Sequence, residues 1–383
     1  MIRLDMKFNP FAENKIPSVS MFAKKDKSLS ASHAEMMEFS KDYNKETLFD
    51  VDLDPNALLF FKSLIKTAGE DVVSMLLERN AEFVNYKGEL LRFNCSNTDV
   101  SFLPELPKGL KSLECFSTLL TDLPKLPNTL EELECSNTRV KRLPELPEKL
   151  LVLYCDRLRL ERLPALPAGL QKLSCIDSEL TSLPALPTTL RELSCSDNVF
   201  IALPELPEGL IAINCTDTLI TELPELPKGL KSLYCYNNRN LRSIPILPNS
   251  LTNLECHKTS ISELSKLPDS LESLSCAHTL LEILPPIPAS LKSLDCSGTA
   301  IKTIPKLPSK IEKIDCSDTF ITELPELPEG LIELNCSFTE ITSMPKLPES
   351  LVELYCSDTP LTENSEMITA LKQKYPNVEI IAD

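Results

Sequence analysis

Hydrophobic residues recur in one short pattern along most of the chain, and each copy of the pattern ends in a cysteine. In the segment 110–115 (LKSLEC), Leu113 and Cys115 alternate with the polar residues Ser112 and Glu114. Alternation with a period of two is typical of a β-strand that has one buried face. We therefore predict a short strand in each copy, with its leucine and its cysteine in the core.

The cysteines lie at a nearly fixed interval from one another. The interval is 20 residues from Cys95 to Cys235, a single interval of 21 leads to Cys256, and intervals of 20 continue to Cys356. This series contains all 14 cysteines of the chain. A repeat of about 20 to 29 residues with leucines at fixed offsets is the signature of a leucine-rich-repeat solenoid, whose stacked copies bury one continuous core.

A proline-rich segment precedes each predicted strand. In the segment 103–109 (LPELPKG), two prolines lie three residues apart. Proline fixes φ at about −65° and has no N–H group, so this arm is expected to be extended and polyproline-like. The predicted fold class is thus a repeat solenoid, a leucine-rich-repeat horseshoe. Its parallel β-sheet would lie on the concave face and its polyproline-like arms on the convex face.

Two helices are predicted before the repeats. Asp54 and Pro55 form an N-cap and first-turn pair in front of NALLFFKSLIKTA, and Gly69 separates this helix from EDVVSMLLERN. The first repeat of a solenoid exposes a hydrophobic end, so we expect the two helices to form a hairpin that caps it. A further amphipathic helix is expected from Ala31 to Asn44.

The chain is predicted to have four parts. Residues 1–30 are expected to be a disordered tail, with a secretion signal as an alternative, and residues 31–82 a helical N-terminal cap. Residues 83–361 form the solenoid of about 14 repeats of 20 residues, and residues 362–383 a C-terminal cap with a short helix and an extended end. The extra residue between Cys235 and Ile244 is expected to bulge one turn.

The regular positions of the cysteines predict buried, reduced thiols that pack the core. Such a column of free thiols suits a reducing compartment. There is no Cys-x-x-Cys pair, and the three histidines form no HExxH pattern, so neither a metal site nor a cofactor is predicted.

The charge and hydropathy of the chain narrow the range of partners. A net charge of −17 argues against binding to nucleic acid or anionic membranes, which requires basic surfaces. There is no run of about 18 apolar residues, so membrane insertion is not predicted. The N-terminal segment also lacks the apolar core of about 7–15 residues that a Sec signal peptide contains.

The candidate binding surface is the face of the strands that the core does not use. The residues directly before and after each cysteine are predicted to line the concave face, where aromatic side chains are candidate anchors because they dominate binding hot spots. The alternative is that scattered exposed aromatic residues have no function. The candidate protein-binding residues are Phe116, Glu134, Tyr154, Asp156, Arg157, Tyr234, Tyr236, Asn237, His257, Lys258 and Tyr355. Among them we expect one cluster of Tyr234, Tyr236, Asn237, His257 and Lys258 beside the extra residue, and a second cluster of Tyr154, Asp156 and Arg157.

The arm and the strand together read LPxLPxxLxxLxC, followed by SxTxIT, and this pattern resembles the bacterial LPX class of leucine-rich repeats. That class is known from secreted effectors of the YopM and IpaH type, and the resemblance extends from about Asp54 to Leu361. It implies a bacterial protein that reaches the host cytoplasm by a non-Sec route and binds host proteins as a scaffold or inhibitor. Two features depart from the class, namely cysteine in the strand and threonine instead of asparagine in the turn.

The resemblance also raises an enzymatic alternative. Effectors of the IpaH type carry a ubiquitin-ligase domain with a nucleophilic cysteine in a Cys-x-Asp motif. Cys195, Cys215, Cys316 and Cys356 each begin such a string here, but all four lie at predicted buried strand positions and no ligase domain is recognised. The chain is therefore not predicted to be an enzyme. A ubiquitin-ligase-related effector or thiol enzyme, and a cytoplasmic interaction protein of the producing organism or of a large virus, stay open as alternatives.

Overall fold

The computed structural model describes residues 46–48 and 51–382. The tail expected at residues 1–30 and the helix expected from Ala31 to Asn44 lie outside these residues. The first described element is a pair of short antiparallel strands, β1 (Glu46–Leu48) and β2 (Val51–Leu53). The sequence analysis did not predict this pair, since it expected a purely helical cap.

The predicted helical hairpin is confirmed as α1 (Pro55–Ala68) and α2 (Glu70–Asn80). Asp54 caps α1, because its Oδ1 accepts a hydrogen bond from the Ala57 N–H at 2.7 Å. Gly69 joins the helices with a φ of 88°, a backbone conformation that glycine adopts without strain. A short 3-10 turn, Ala81–Phe83, then leads towards the first repeat.

The hairpin covers the first repeat with aromatic side chains. Phe60 and Phe61 of α1 pack edge-to-face against Phe93 of the first repeat, with ring centroids 4.8 and 5.9 Å away. All three rings are at most 2 % exposed. Aromatic side chains bury large areas, so this contact closes the hydrophobic end of the solenoid.

The repeats form a single parallel sheet of 15 strands in sequential order. Equivalent residues pair across neighbouring strands, as Leu113 does with Leu133, because the repeat length keeps them in register. The strands are β3 (Arg92–Asn94), β4 (Ser112–Glu114), β5 (Glu132–Glu134), β6 (Val152–Tyr154), β7 (Lys172–Ser174), β8 (Glu192–Ser194), β9 (Ala212–Asn214), β10 (Ser232–Tyr234), β11 (Asn253–Glu255), β12 (Ser273–Ser275), β13 (Ser293–Asp295), β14 (Lys313–Asp315), β15 (Glu333–Asn335), β16 (Glu353–Tyr355) and β17 (Glu379–Ile381). This architecture is the predicted leucine-rich-repeat solenoid.

The arms between the strands contain no regular helix or strand in the described repeats, and their leucines turn inward. Leu103 and Leu106 of the first arm are 2 % and 4 % exposed. Each arm ends in a tight turn, such as the one in which the Leu110 N–H donates to the Pro107 carbonyl at 3.1 Å. The arm leucines thus close the core opposite the sheet.

All 14 cysteines are free and fully buried, as the sequence predicted. Burial raises the pKa of Cys95, Cys215 and Cys256 to about 12 and that of Cys356 to about 11. These thiols are therefore protonated at neutral pH and act as small packing groups.

In most repeats, the turn after the strand is held by a side chain three residues beyond the cysteine. Where this residue is threonine, its hydroxyl donates to the cysteine carbonyl of the same repeat, as Thr118 does to Cys115 at 2.8 Å. Asn198 reaches further, because its Nδ2 donates to the carbonyls of both Cys195 and Cys175, at 3.1 and 2.8 Å. Asparagine therefore ties two repeats together, whereas threonine closes only its own turn.

The extra residue in the middle of the array is absorbed by a wider turn, as expected. Arg239 and Asn240 are exposed in this turn, and the Leu241 N–H donates to the Asn238 carbonyl at 3.0 Å. The following strand keeps its register, with Leu233 opposite Leu254. The insertion thus changes the surface and leaves the core columns intact.

The C-terminal end consists of a short helix, α3 (Ser365–Lys374), and strand β17, which pairs with β16. Asn364 caps α3, since its Oδ1 accepts a hydrogen bond from the Met367 N–H at 3.2 Å. None of the helices in the described residues has both the length and the apolar character needed to cross a lipid bilayer.

Candidate functional site

Two aromatic rings stack on the concave face where the array carries its extra residue. Tyr236 and His257 occupy the same position in neighbouring repeats, and their ring centroids lie 4.3 Å apart at an interplanar angle of 10°. Both side chains are partly exposed. The pair therefore presents a flat, ordered aromatic surface, the kind of group that anchors protein partners.

The His257 imidazole is neutral at physiological pH. Burial, together with the nearby Lys258 and His278, lowers its pKa to about 4. His257 Nδ1 lies 3.3 Å from Ser275 Oγ, and this hydroxyl donates to Asp295 Oδ2 at 3.0 Å. Because Ser275 stands between the ring and the carboxylate, the arrangement fixes the ring and does not form a direct histidine–carboxylate pair.

Tyr234 does not lie open on this surface. Its side chain is 3 % exposed and stands in register between Asn214 and Glu255 of the neighbouring strands. Burial also raises the pKa of the Tyr234 hydroxyl. This corrects the expectation that Tyr234 is an exposed anchor, because a ring so completely covered offers almost no area to a partner.

Asn237 and Lys258 lie in the turns beside the aromatic pair. Both have a left-handed backbone, with φ of 57° and 54°. Asn237 Nδ2 donates to Asp217 Oδ2 at 3.0 Å, whereas the Lys258 side chain is exposed. The structure thus brings Tyr236, Asn237, His257 and Lys258 together as one patch, which we call the aromatic patch.

The second predicted cluster is acidic. Tyr154 stands in register beside Glu134, and burial raises the pKa of Glu134 to about 7 and that of Tyr154 to about 12. Asp156 Oδ1 accepts hydrogen bonds from Ser174 Oγ at 2.6 Å and from the Ile176 N–H at 2.8 Å. Burial raises the pKa of Asp156 as well.

The remaining candidate residues are Arg157, Phe116 and Tyr355. Arg157 is an exposed turn residue with a φ of 54°, next to Asp156. Phe116 follows β4, and Tyr355 lies in β16, where its hydroxyl donates to Glu353 Oε2 at 2.8 Å. Neighbouring strands are separated by about 4.8 Å, so Phe116 lies within about 10 Å of the acidic cluster. Tyr355 is ten strands beyond β6 and therefore lies tens of ångströms away, in a separate region of the surface.

Sequence reasoning missed an acidic run beside the aromatic patch. Glu255, Asp295 and Asp315 occupy the position before the cysteine in three of four consecutive repeats. Burial, together with repulsion from Asp295, raises the pKa of Glu255 to about 7. Burial also raises the pKa of Asp315. The repeated carboxylate at one repeat position was the signal in the sequence that could have identified this run.

The fold and this long, open surface define the class of the protein, a leucine-rich-repeat solenoid. No protein-family model matches the chain, and a search of curated proteins finds no match either. Solved structures do match. YopM from Yersinia enterocolitica WA-314 is 35 % identical with a TM-score of 0.69, and the match covers 70 % of this chain and 60 % of that chain. The match thus spans less than two thirds of the length of that YopM.

Two further structures extend the comparison. The leucine-rich effector protein YopM from Yersinia pestis is 26 % identical with a TM-score of 0.63, over 79 % of this chain and 99 % of that chain. The functional domain of InlJ from Listeria monocytogenes, described as including a cysteine ladder, shares the fold at 24 % identity and a TM-score of 0.58, over 71 % and 64 % of the two chains. The predicted resemblance to YopM-type repeats is confirmed, and a fold of this type indicates a role in protein interaction.

Proposed function

We propose that the protein is a non-enzymatic binding module that captures a partner protein on its concave face, centred on the aromatic patch. The stacked pair of Tyr236 and His257 carries this proposal. The two rings are held in a fixed geometry by neighbouring repeats, are partly exposed and carry no charge at neutral pH. A rigid aromatic anchor loses little conformational entropy when it binds, which favours its use as a hot spot.

The state of the cysteines supports the non-enzymatic reading over a ubiquitin ligase or another thiol enzyme. A nucleophilic cysteine requires access to solvent and a lowered pKa. Cys195, Cys215, Cys316 and Cys356, which begin the Cys-x-Asp strings, are all fully buried. Burial raises the pKa of each of these thiols.

We further propose that the protein is a bacterial effector that acts in the host cytoplasm after export by a non-Sec route, where it binds host proteins as a scaffold or inhibitor. The similarity to YopM from two Yersinia species, one of them described as an effector, supports this. Reduced core thiols fit a reducing compartment. A translocation-reporter fusion tests the proposal, and a fusion that stays in the producing cell would favour the cytoplasmic alternative.

The same proposal assigns a role to each part of the chain. Residues 31–82 and 362–383 would cap the two ends of the solenoid formed by residues 83–361, and residues 1–30 would form a tail outside it. Limited proteolysis tests this division. Early cleavage inside residues 83–361, with residues 1–30 still attached, would contradict it.

The binding surface is tested by affinity purification from host lysate with mass spectrometry, followed by quantitative binding of the partner so found. Tyr236→Ala combined with His257→Ala is expected to weaken binding at least tenfold without loss of the fold. Tyr86→Ala, which removes an aromatic ring that is 68 % exposed outside the repeats, is the matched control. Unchanged binding by the double variant would exclude the aromatic patch as the site.

A further inference from the structure

Large apolar side chains stand exposed at the edge of the solenoid, where the turns follow the strands. The fourth residue after the cysteine is Leu280, Ala300 and Phe320 in three consecutive repeats. Leu280 is 60 % exposed and Phe320 is 57 % exposed, although both are strongly apolar. Exposed apolar groups that recur on one edge of a soluble protein mark interaction surfaces more often than single exposed residues do.

The small Ala300 between two large neighbours creates a notch in this edge. The backbone fixes the three positions relative to one another, since the N–H groups of Leu280, Ala300 and Phe320 each donate to a carbonyl of the preceding repeat at 2.9 to 3.1 Å. Two repeat spacings separate Leu280 from Phe320, or about 10 Å. The notch has a volume of about 650 Å³, which is room for one large apolar side chain and the backbone that carries it.

A second small residue lines the same notch. Gly298, the second residue after the cysteine, lies in the repeat of Ala300 and also lines the notch. Its φ is 65°, and the His278 imidazole occupies the space where a side chain at position 298 would begin. At the equivalent position the neighbouring repeats carry His278 and Asp318, so the glycine makes room for the His278 ring at one repeat only.

The charged groups that line the notch are all acidic. They are Glu282 and Asp318, both exposed, and neither forms an ion pair within residues 51–382. A partner that places an apolar side chain in the notch would bring its own neighbouring side chains next to these carboxylates. Electrostatic complementarity therefore favours lysine or arginine beside the apolar residue.

The next repeat also exposes a large apolar side chain, at the second residue after its cysteine. Phe338 is 59 % exposed and has a φ of 56°, a left-handed conformation that a bulky side chain rarely adopts. The repeat enforces this conformation, because the Phe338 N–H donates to the Ser357 carbonyl at 2.9 Å. An aromatic side chain at a strained turn position, open to solvent, is unfavourable for the free protein and marks a functional surface.

We propose that this notch, formed by Leu280, Gly298, Ala300 and Phe320, binds a peptide segment of a partner protein in which an apolar residue stands beside lysine or arginine. The apolar side chain lies between Leu280 and Phe320, and the cation pairs with Glu282 or Asp318. This surface lies on the turn edge of the solenoid and does not depend on the aromatic patch of the concave face.

The test uses a random peptide display library and the purified full-length chain. Peptides enriched by the wild type are compared for binding to Ala300→Leu, which fills the notch, and to Arg139→Leu, which introduces the same residue at the equivalent exposed position of a distant repeat. We expect a class of enriched peptides with an apolar residue next to lysine or arginine. These peptides should lose at least tenfold in affinity with Ala300→Leu and bind normally to Arg139→Leu.

A second variant tests the charges without changing the shape of the notch. Glu282→Gln with Asp318→Asn keeps side-chain size, and asparagine tolerates the left-handed φ of 55° at position 318. Binding of the same peptides should weaken several-fold at low salt and become equal to that of the wild type at high salt. Asp358→Asn, in an equivalent turn beyond the notch, is the control.

Three results would overturn the proposal. The first is that no enriched peptide distinguishes Ala300→Leu from Arg139→Leu. The second is that the notch-dependent peptides lack basic residues. The third is a concentration-dependent dimer in analytical ultracentrifugation that Ala300→Leu abolishes, since this would assign the notch to a second copy of the chain. Tyr236→Ala with His257→Ala should leave notch binding unchanged, which separates this proposal from that for the concave face.

Discussion

The side-chain amide of Asn80 pairs with both backbone groups of Asn94, as a neighbouring β-strand would. Asn80 Oδ1 accepts from the Asn94 N–H at 2.7 Å, and Asn80 Nδ2 donates to the Asn94 carbonyl at 3.0 Å. Asn94 belongs to β3, the first strand of the large sheet, so its outer edge would otherwise be unpaired. The last residue of α2 thus ends the sheet by satisfying the edge that invites association with other strands.

This pairing makes Asn80 a critical residue of the N-terminal cap. Asn80 is fully buried, so Asn80→Leu would leave two backbone groups of Asn94 without partners. We expect a loss of about 1 to 3 kcal/mol in local stability, because a buried polar group without a hydrogen bond is strongly unfavourable. Native-state hydrogen exchange should show faster opening of residues 92–94, while the central strands exchange as before.

Asn56→Leu is the matched control for the cap, because Asn56 is an exposed asparagine at the start of α1. It should leave exchange at residues 92–94 unchanged. Equal protection of these residues in Asn80→Leu and in the wild type would show that the edge does not depend on the amide.

Asn198 is expected to stabilise the contact between repeats more than the threonines do. Its Nδ2 bonds the carbonyls of Cys175 and Cys195, and its Oδ1 accepts from the Leu180 N–H at 2.9 Å. Asn198→Thr keeps only the bond within its own turn and leaves the buried Leu180 N–H unpaired. The free energy of unfolding should fall by about 1 to 3 kcal/mol.

Chemical denaturation measures this loss, and Asn238→Thr should behave in the same way, because Asn238 makes the same bonds to Cys215 and Cys235. The control is Thr339→Ser, which keeps the hydroxyl that donates to the Cys336 carbonyl. If both asparagine variants were as stable as this control, the bonds between repeats would contribute nothing.

The fold could be predicted well from the sequence because the same local pattern of residues is repeated many times along the chain. Period-two alternation, a cysteine interval of 20 residues and a proline arm occur together in most repeats, so a departure in one copy does not change the prediction for the whole array. The β1–β2 hairpin was missed because each strand has only three residues and occurs once. A pattern so short cannot be separated from a loop by periodicity.

The surface was harder to predict than the core, and Tyr234 shows why. Its position before the cysteine points away from the leucine core, so alternation alone classed it as exposed. Its exposure depends on the packing of the surrounding side chains, and here the residue is only 3 % exposed. The sequence did place Tyr236 and His257 in one cluster, because they occupy the same position in neighbouring repeats, but only the structure shows that their rings stack.

The buried thiols should resist alkylation in the folded protein. Burial raises the pKa of all 14 cysteines, and the thiolate is the reactive form. Iodoacetamide should therefore label none of them until denaturant is added. The labelling is done at a pH of about 7.5, which is about one unit below the usual thiol pKa. Mass spectrometry of tryptic peptides identifies each labelled site.

Near the C-terminal end, the pKa of Cys356 is raised less than that of Cys336, to about 11. We therefore expect Cys356 to react first in mild denaturant, when the adjacent C-terminal cap opens. A single cysteine that reacts rapidly in the folded protein would contradict the packing role. It would also support the thiol-enzyme alternative.

The carboxyl group of Glu255 should make stability depend on pH. Burial, with repulsion from Asp295, raises its pKa in the folded protein to about 7, above the 4.5 of an unperturbed glutamate. Between these two values the folded state binds more protons than the unfolded state, so this group lowers stability as pH rises. The unfavourable contribution is complete above pH of about 7 and absent below about 4.5.

Glu255→Gln removes the charge and keeps the shape of the side chain, so the variant should be more stable than the wild type at pH 8. We expect a gain of about 1 to 2 kcal/mol in the free energy of unfolding, because solvent screens part of the interaction of this partly exposed side chain. The difference should vanish near pH 4.5. The lowered pKa of His257, about 4, makes stability change with pH in the opposite direction. This contribution cancels in the comparison, because both the wild type and the Glu255→Gln variant contain His257. Chemical denaturation at several pH values measures the difference, and a Glu255→Gln variant less stable than the wild type at pH 8 would show that the carboxylate is satisfied where it lies.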